Sequence, residues 1–203
     1  MKRLAILLSG RGSNFLAISD AIAAGKLDAE IALVISNVAE APGLTAARER
    51  GYSSVLLPSS GIARDEYDRR LAAEIEKNKI DLICLAGFMR KLSAEFVRRF
   101  PSRILNIHPS LLPAFPGLEV QQAALDHGVK FSGCTVHFVD EGLDSGPIIQ
   151  QAVVPVLDDD TAETLSARIL REEHRIYSEA IALVLSGKWR VEGRRVIATT
   201  PAP

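Results

Sequence analysis

The stretch LAILLSGRGSN at residues 4–14 decides the fold. Residues 4–8 are five consecutive apolar side chains, the pattern of a strand buried on both faces. Gly10 and Gly12 then turn the chain, and residues 15–24, closed by Gly25, read as a helix. Strand, glycine turn and helix together open a βαβ unit.

Working outward, the same alternation recurs. Apolar runs at 31–35, 54–57, 82–85 and 104–107 are interleaved with helix-like stretches at 43–50, 65–77 and 93–99. Parallel strands joined by helical crossovers follow from that spacing. After Pro109 the pattern changes. Residues 120–127 read as a helix ending at His127, and 134–139 and 148–156 read as strands. A long helix is expected from about 161, behind the acidic DDDTAET, to about 185. A hairpin is expected over 189–197 around Glu192-Gly193, with the final PAP frayed. The fold class is therefore α/β: an open, Rossmann-like, mostly parallel sheet with helices on both faces and a mixed antiparallel edge after about residue 130. No repeat or Pro/Gly/Ser-rich linker divides the 203 residues, so one domain is expected, with halves at about 1–100 and 101–187 and a tail from 188.

Composition narrows the function classes. Hydrophobic residues make up 47%, charged residues 24%, and the net charge is -1 with Lys and Arg spread along the chain. That balance speaks against disorder, nucleic-acid binding and membrane binding. The first apolar run is too short for a signal peptide. Cys84 and Cys134 both sit inside apolar runs, as small packing residues do, so a reducing, cytoplasmic setting is expected.

The loop at 9–14 follows a strand and opens a helix, where backbone N–H groups and the helix dipole favour an anion. It is not the dinucleotide fingerprint, because Phe15 occupies the place of the third glycine, nor a P-loop, which needs Gly-Lys-Ser/Thr. A monophosphate at this loop is one reading; a glycine turn that merely reverses the chain is the other.

LNIHPSLLP at 105–113 places Asn106 and His108 at the carboxyl end of a central strand, spaced by two and so on one face. Pro109 ends the strand and leaves the imidazole at its tip. An asparagine amide beside a protonated histidine suits a developing oxyanion in acyl transfer. No Gly-x-Ser-x-Gly elbow is present and neither cysteine has an obvious base, so direct attack by a substrate amine fits better than covalent catalysis. The acidic loop DEGLDSG at 140–146 lies between two strands; from its residues alone the solvated turn is much the commoner reading.

Taken with ISN at 35–37, LAGFMR at 85–90, GCTVHFV at 133–139, LDSGPII at 143–149 and EEH at 172–174, these motifs make the chain resemble the folate-dependent phosphoribosylglycinamide formyltransferase family over nearly its whole length. The resemblance implies formyl transfer from 10-formyltetrahydrofolate to the amine of glycinamide ribonucleotide, without a metal, by a monomer or homodimer. It implies that Asn106 and His108 stabilise a tetrahedral oxyanion and that Asp144 orients and charges His108. It further implies that Gly12, Ser13, Asn14 and Glu173 contact the ribonucleotide. Arg64, Met89, Arg90, Lys91, Leu92, Asn106, Val139, Asp140, Glu141 and Asp144 would line the folate pocket. Without the resemblance, EEH reads as a solvated helical face. Lys91 and the GLEVQQ segment at 117–122 depart from the family, which usually has an aliphatic residue at the first position and often a histidine near 121. His137 is expected to be a packing residue. Rival readings are another user of 10-formyltetrahydrofolate (a hydrolase or a different formyltransferase), a nucleotide-binding oxidoreductase, and a non-catalytic phosphate-binding module.

Overall fold

A computed structural model describes residues 1–199, so the PAP end, expected to fray, lies outside the described residues. The chain divides into two compact units, Met1–Asn106 and the residues from Ile107 onward.

The first unit alternates strand and helix as the apolar runs require: β1 (Arg3–Leu8), α1 (Ser13–Ala23), β2 (Glu30–Ser36), α2 (Pro42–Glu49), β3 (Ser54–Leu56), α3 (Arg64–Lys77), β4 (Leu82–Leu85), α4 (Ala94–Arg99) and β5 (Ile104–His108). The strands run in the order β3-β2-β1-β4-β5, all parallel. Leu4, Ala5, Ile6, Leu7 and Leu8 are each 0% exposed. Both faces of β1 are thus covered, which is why the sequence shows a run rather than an alternation. Each large side chain there contributes roughly 2 kcal/mol through burial.

Register is fixed from the amino end of this sheet. The Asp81 carboxylate, just before β4, accepts the Arg3 N–H at 2.8 Å and the Lys2 ammonium at 2.9 Å. The Arg3 N–H first, and then Lys2, hold that carboxyl below its usual range. Ile6 of β1 consequently lies opposite Val34 of β2 and Cys84 of β4, and the carboxyl ends of the strands finish together. In open α/β sheets that edge is where ligands bind.

The second unit contains α5 (Val120–Asp126), β6 (Phe131–Phe138), β7 (Ile148–Pro155), α6 (Ala162–Ser186), β8 (Trp189–Glu192) and β9 (Arg195–Ala198). β6 pairs antiparallel with β7, β8 pairs antiparallel with β9, and β9 meets β7 in parallel at Ile148 and Arg195. The mixed edge and the hairpin expected from sequence are both present. β6 starts three residues earlier than its apolar run, because Phe131 is 63% exposed and Gly133 interrupts the pattern. α6 starts at a capping box in which Thr161 accepts from the Thr164 N–H, and it ends at Gly187 in the left-handed region. His127 closes α5, as expected. No helix of the described residues is long and apolar enough to cross a membrane.

One packing feature of α6 gives a pH prediction. His174 has a buried Nε2 with no hydrogen-bond partner among the described residues, and burial pushes the imidazole's pKa below its ordinary value. The unfolded chain therefore binds the extra proton first, so stability is full above about pH 6.5 and falls as pH drops below it. The loss is at most about 1.4 kcal/mol per pH unit for one histidine. Thermal melts of wild type and His174→Leu between pH 7.5 and 5.5 should show a shallower acid decline in the variant. Parallel curves would remove His174 from the acid sensitivity.

Candidate active site

β5 carries Asn106 and His108 two residues apart, so both side chains leave the strand on the same side before Pro109 stops it. His108 is 5% exposed, and its Nε2 lies 2.9 Å from the Phe115 carbonyl. A carbonyl only accepts, so the Nε2 carries hydrogen. The other ring nitrogen, Nδ1, lies 3.6 Å from Asp144 Oδ2. The acidic loop thus folds back onto the histidine, a proximity the sequence does not disclose. Asp144 Oδ2 also accepts the Gly117 N–H at 2.9 Å, and Asp144 Oδ1 lies 3.8 Å from His137 Nε2. With its Nε2 hydrogen committed to Phe115, His108 makes an attractive contact with the carboxylate when Nδ1 is protonated too.

Two loops hold this arrangement. The Ser110 hydroxyl reaches the Ala114 and Phe115 carbonyls at 2.7 and 2.9 Å. Thr135 of β6 donates to the Ser110 carbonyl and accepts the Leu112 N–H, and Gln151 of β7 donates to the Leu112 carbonyl. In the loop after β6, Asp140 Oδ1 accepts both the Gly142 N–H and the Ser145 hydroxyl, so this carboxylate braces a turn. Gly146 must be glycine, since a Cβ there would lie 1.9 Å from the Phe138 carbonyl oxygen. Arg194 of the C-terminal hairpin donates to the Ser145 carbonyl at 2.6 Å. Asp144 itself has φ 48°, a left-handed conformation costing roughly 1–2 kcal/mol outside glycine.

The glycine loop belongs to the first unit. α1 opens with Gly12 as N-cap at φ 75°, no side chain caps it, and its first turn holds no acidic residue. Its leading N–H groups and positive dipole end suit an anion. The Gly43 N–H donates to the Gly10 carbonyl at 3.0 Å, so α2 packs directly against the loop. At the strand ends, Ser9 donates to Asn37, Asn37 donates to Ser59, and the Met89 N–H donates to Ser9. Arg90 donates to the Ser59 and Ile62 carbonyls and lies 4.5 Å above the Tyr67 ring. Burial pushes the Tyr67 hydroxyl up to about 12. Arg90 thereby joins the 89–92 segment to the loop entering α3, whose first residue is Arg64. Lys91 is exposed and Leu92 is buried.

One placement differs from the sequence reading: His137, expected only to pack, reaches Asp144. Glu173 is 8% exposed, and burial, with its charge, pushes the Cys134 thiol up to about 12. Asp140 braces the turn described above. Ser9, Asn37 and Thr135 lie in motifs that the sequence singles out but carry no individual role there, and Ser59 lies in none; a polar residue at a strand's carboxyl end is the available signal for Asn37, as for Asn106.

A model of the formyl transferase family, "Formyl transferase", matches residues 2–181. The chain is 44% identical to the phosphoribosylglycinamide formyltransferase of Escherichia coli (strain K12), over 94% of this chain and 88% of that protein. It is 49% identical to the trifunctional purine biosynthetic protein adenosine-3 of Drosophila melanogaster, over 92% of this chain; the chain spans only 14% of that relative's length. The crystal structure of glycinamide ribonucleotide transformylase 1 from Symbiobacterium toebii has 51% identity and a TM-score of 0.96, covering 98% of this chain and 95% of that one.

Proposed function

The chain belongs to the formyl transferase family, and from that premise we propose that it transfers the formyl group of 10-formyltetrahydrofolate to the amine of N1-(5-phosphoribosyl)glycinamide. The products are the N-formyl ribonucleotide and tetrahydrofolate, a step of purine biosynthesis. The observation that carries this reading is Asp144 turned onto His108 at the end of β5, two residues after Asn106.

The residues present suit a folate ligand. Met89 in the 89–92 segment is 69% exposed and Leu143 beside Asp144 is 57% exposed, each offering an apolar side chain for a flat ring to cover. Arg64 and Arg90 of the first unit supply cations suited to the ligand's acidic tail; Lys91 and Leu92 of that unit, and Val139, Asp140 and Glu141 of the second, are the further residues assigned to it. Gly12, Ser13 and Asn14 take the ribonucleotide's phosphate, and Glu173 its sugar.

10-Formyltetrahydrofolate supplies the formyl carbon, electrophilic through its polarised carbonyl, and the folate nitrogen is the leaving group. The glycinamide nitrogen attacks that carbon, and negative charge develops on the formyl oxygen. The Asn106 amide and the His108 Nε2–H donate to this oxygen. His108 gains that role only when the oxygen replaces the Phe115 carbonyl that now accepts its hydrogen. Asp144 balances the imidazolium charge and fixes the ring. As the carbon–nitrogen bond to the folate breaks, His108 gives a proton to the departing nitrogen and regains one from the attacking amine.

The test is direct: incubate the protein with both substrates and follow tetrahydrofolate release. Release that requires the amine supports the transfer reaction. Release at the same rate without it would mean a hydrolase instead.

A further inference from the structure

His108 and His137 make a matched pair around one carboxylate. Each commits one ring nitrogen to a backbone carbonyl: His108 Nε2 to Phe115 at 2.9 Å and His137 Nδ1 to Phe138 at 2.8 Å. Each turns its other nitrogen to Asp144, at 3.6 Å on Oδ2 and 3.8 Å on Oδ1. Because carbonyls only accept, both committed nitrogens carry hydrogen, and the nitrogens facing Asp144 are those that gain or lose a proton. One carboxylate balances one imidazolium. A second would leave two positive rings around a single negative charge.

The β6–β7 register shifts beside His137: Val136 lies opposite Gln150 and His137 opposite Ile148, so Ile149 of β7 is passed over. His137 is 2% exposed, so its ring lies away from water. The titratable groups acting on it are Asp144 and Asp140 from the following loop and His108 from β5. Arg194 is the cation set against that loop, on the Ser145 carbonyl. Burial lowers the His137 pKa, so the ring is neutral at neutral pH and Asp144 is left to His108.

We propose that His137 is a positioning residue acting through Asp144: neutral, it leaves the carboxylate to His108, and protonated, it takes one carboxylate oxygen and opposes the charge on His108. The inference rests on the formyl-transfer reading of His108 and Asp144. It predicts an acid-side loss of turnover that belongs to the enzyme, separate from protonation of the substrate amine.

The experiment compares kcat against pH, at saturating substrates, for wild type and His137→Asn, whose amide retains a donor for the Phe138 carbonyl but does not titrate. Amine protonation is common to both proteins and drops out of their ratio. The ratio of variant to wild-type kcat should rise as the pH falls below about 6.5, whatever its level at pH 8. A flat or falling ratio would overturn the proposal. If the variant does not fold, nitrogen-15 NMR of the wild-type histidine rings decides. A neutral His137 with hydrogen on Nδ1 at pH 7.5, gaining its second proton on acidification, is expected; hydrogen on Nε2, or a charged ring at pH 7.5, would overturn it. Absence of any amine-dependent formyl transfer in wild type would instead defeat the underlying reading, and the NMR titration separates the two failures.

Discussion

Asp144→Asn should lower kcat by about 10³-fold while the protein folds as before. Folding is spared for two reasons. Asparagine is among the residues that tolerate the left-handed φ of 48° found at this position. Its side-chain oxygen can also keep the Gly117 N–H, which Asp144 Oδ2 now accepts at 2.9 Å. The amide's other end then faces His137 Nε2, which accepts a hydrogen bond when the ring is neutral. What disappears is the negative charge 3.6 Å from His108 Nδ1. Without it the imidazolium is no longer stabilised, and both the donor to the formyl oxygen and the proton for the folate nitrogen are weakened. The loss should fall on kcat, with KM for the ribonucleotide changed by less than about threefold, because the interaction strengthens only as charge develops. Steady-state kinetics beside a thermal melt would check it. A kcat within about threefold of wild type would remove Asp144 from the chemistry.

The same residue marks where the sequence stops being informative. β1 to β5 were legible because strands covered on both faces leave unbroken apolar runs, and because Gly25, Gly51 and Pro101 punctuate the helices between them. Asn106 and His108 were legible for a related reason: two polar residues at the end of an apolar strand have few structural explanations. Asp144 lies 36 residues beyond His108 in the chain, and no local pattern states that its loop returns to the imidazole. That return depends on Asp140 bracing the turn, on Gly146 admitting the Phe138 carbonyl, and on Gly117 supplying an N–H. Each is a tertiary contact with no periodic signature.

His137 illustrates the opposite failure. It alternates correctly within CTVHFV, and a strand histidine at a core-like position is most simply read as packing. The carboxylate seven residues later changes that reading, and its return to the imidazole is not visible before the loop is folded. Glu173 was obscured in a third way. An acidic pair followed by histidine on a long helix looks solvated, yet α6 packs on β6 and β7, and Ile169, Glu173, Ile176 and Tyr177 are all buried, so the glutamate falls on the buried stripe. Counting the 3.6-residue period from Ile169 places it there.

The loop that opened the sequence carries the second large effect. Gly12→Ala places a Cβ 2.7 Å from the Gly43 Cα, a contact with backbone that no rotamer relieves, at a φ of 75° that alanine resists. The conformational cost is about 1–2 kcal/mol, and overpacking adds roughly 1–3 kcal/mol. The protein relieves that strain by moving the start of α1 away from α2, and the N–H groups proposed to hold the phosphate move with it. Hydrogen bonds to a charged group contribute about 1.5–3 kcal/mol each, so losing alignment of one or two raises KM for the ribonucleotide by about 10²-fold. The control is glycinamide riboside, which lacks the phosphate. Wild type should bind it about 10²-fold more weakly than the ribonucleotide, and Gly12→Ala should bind the two almost equally, because the contact that distinguishes them is gone. Calorimetric titration of both ligands into both proteins gives the four affinities. Equal affinity of wild type for the two ligands would show that the loop is only a turn, and the anion argument from the helix start would fail with it.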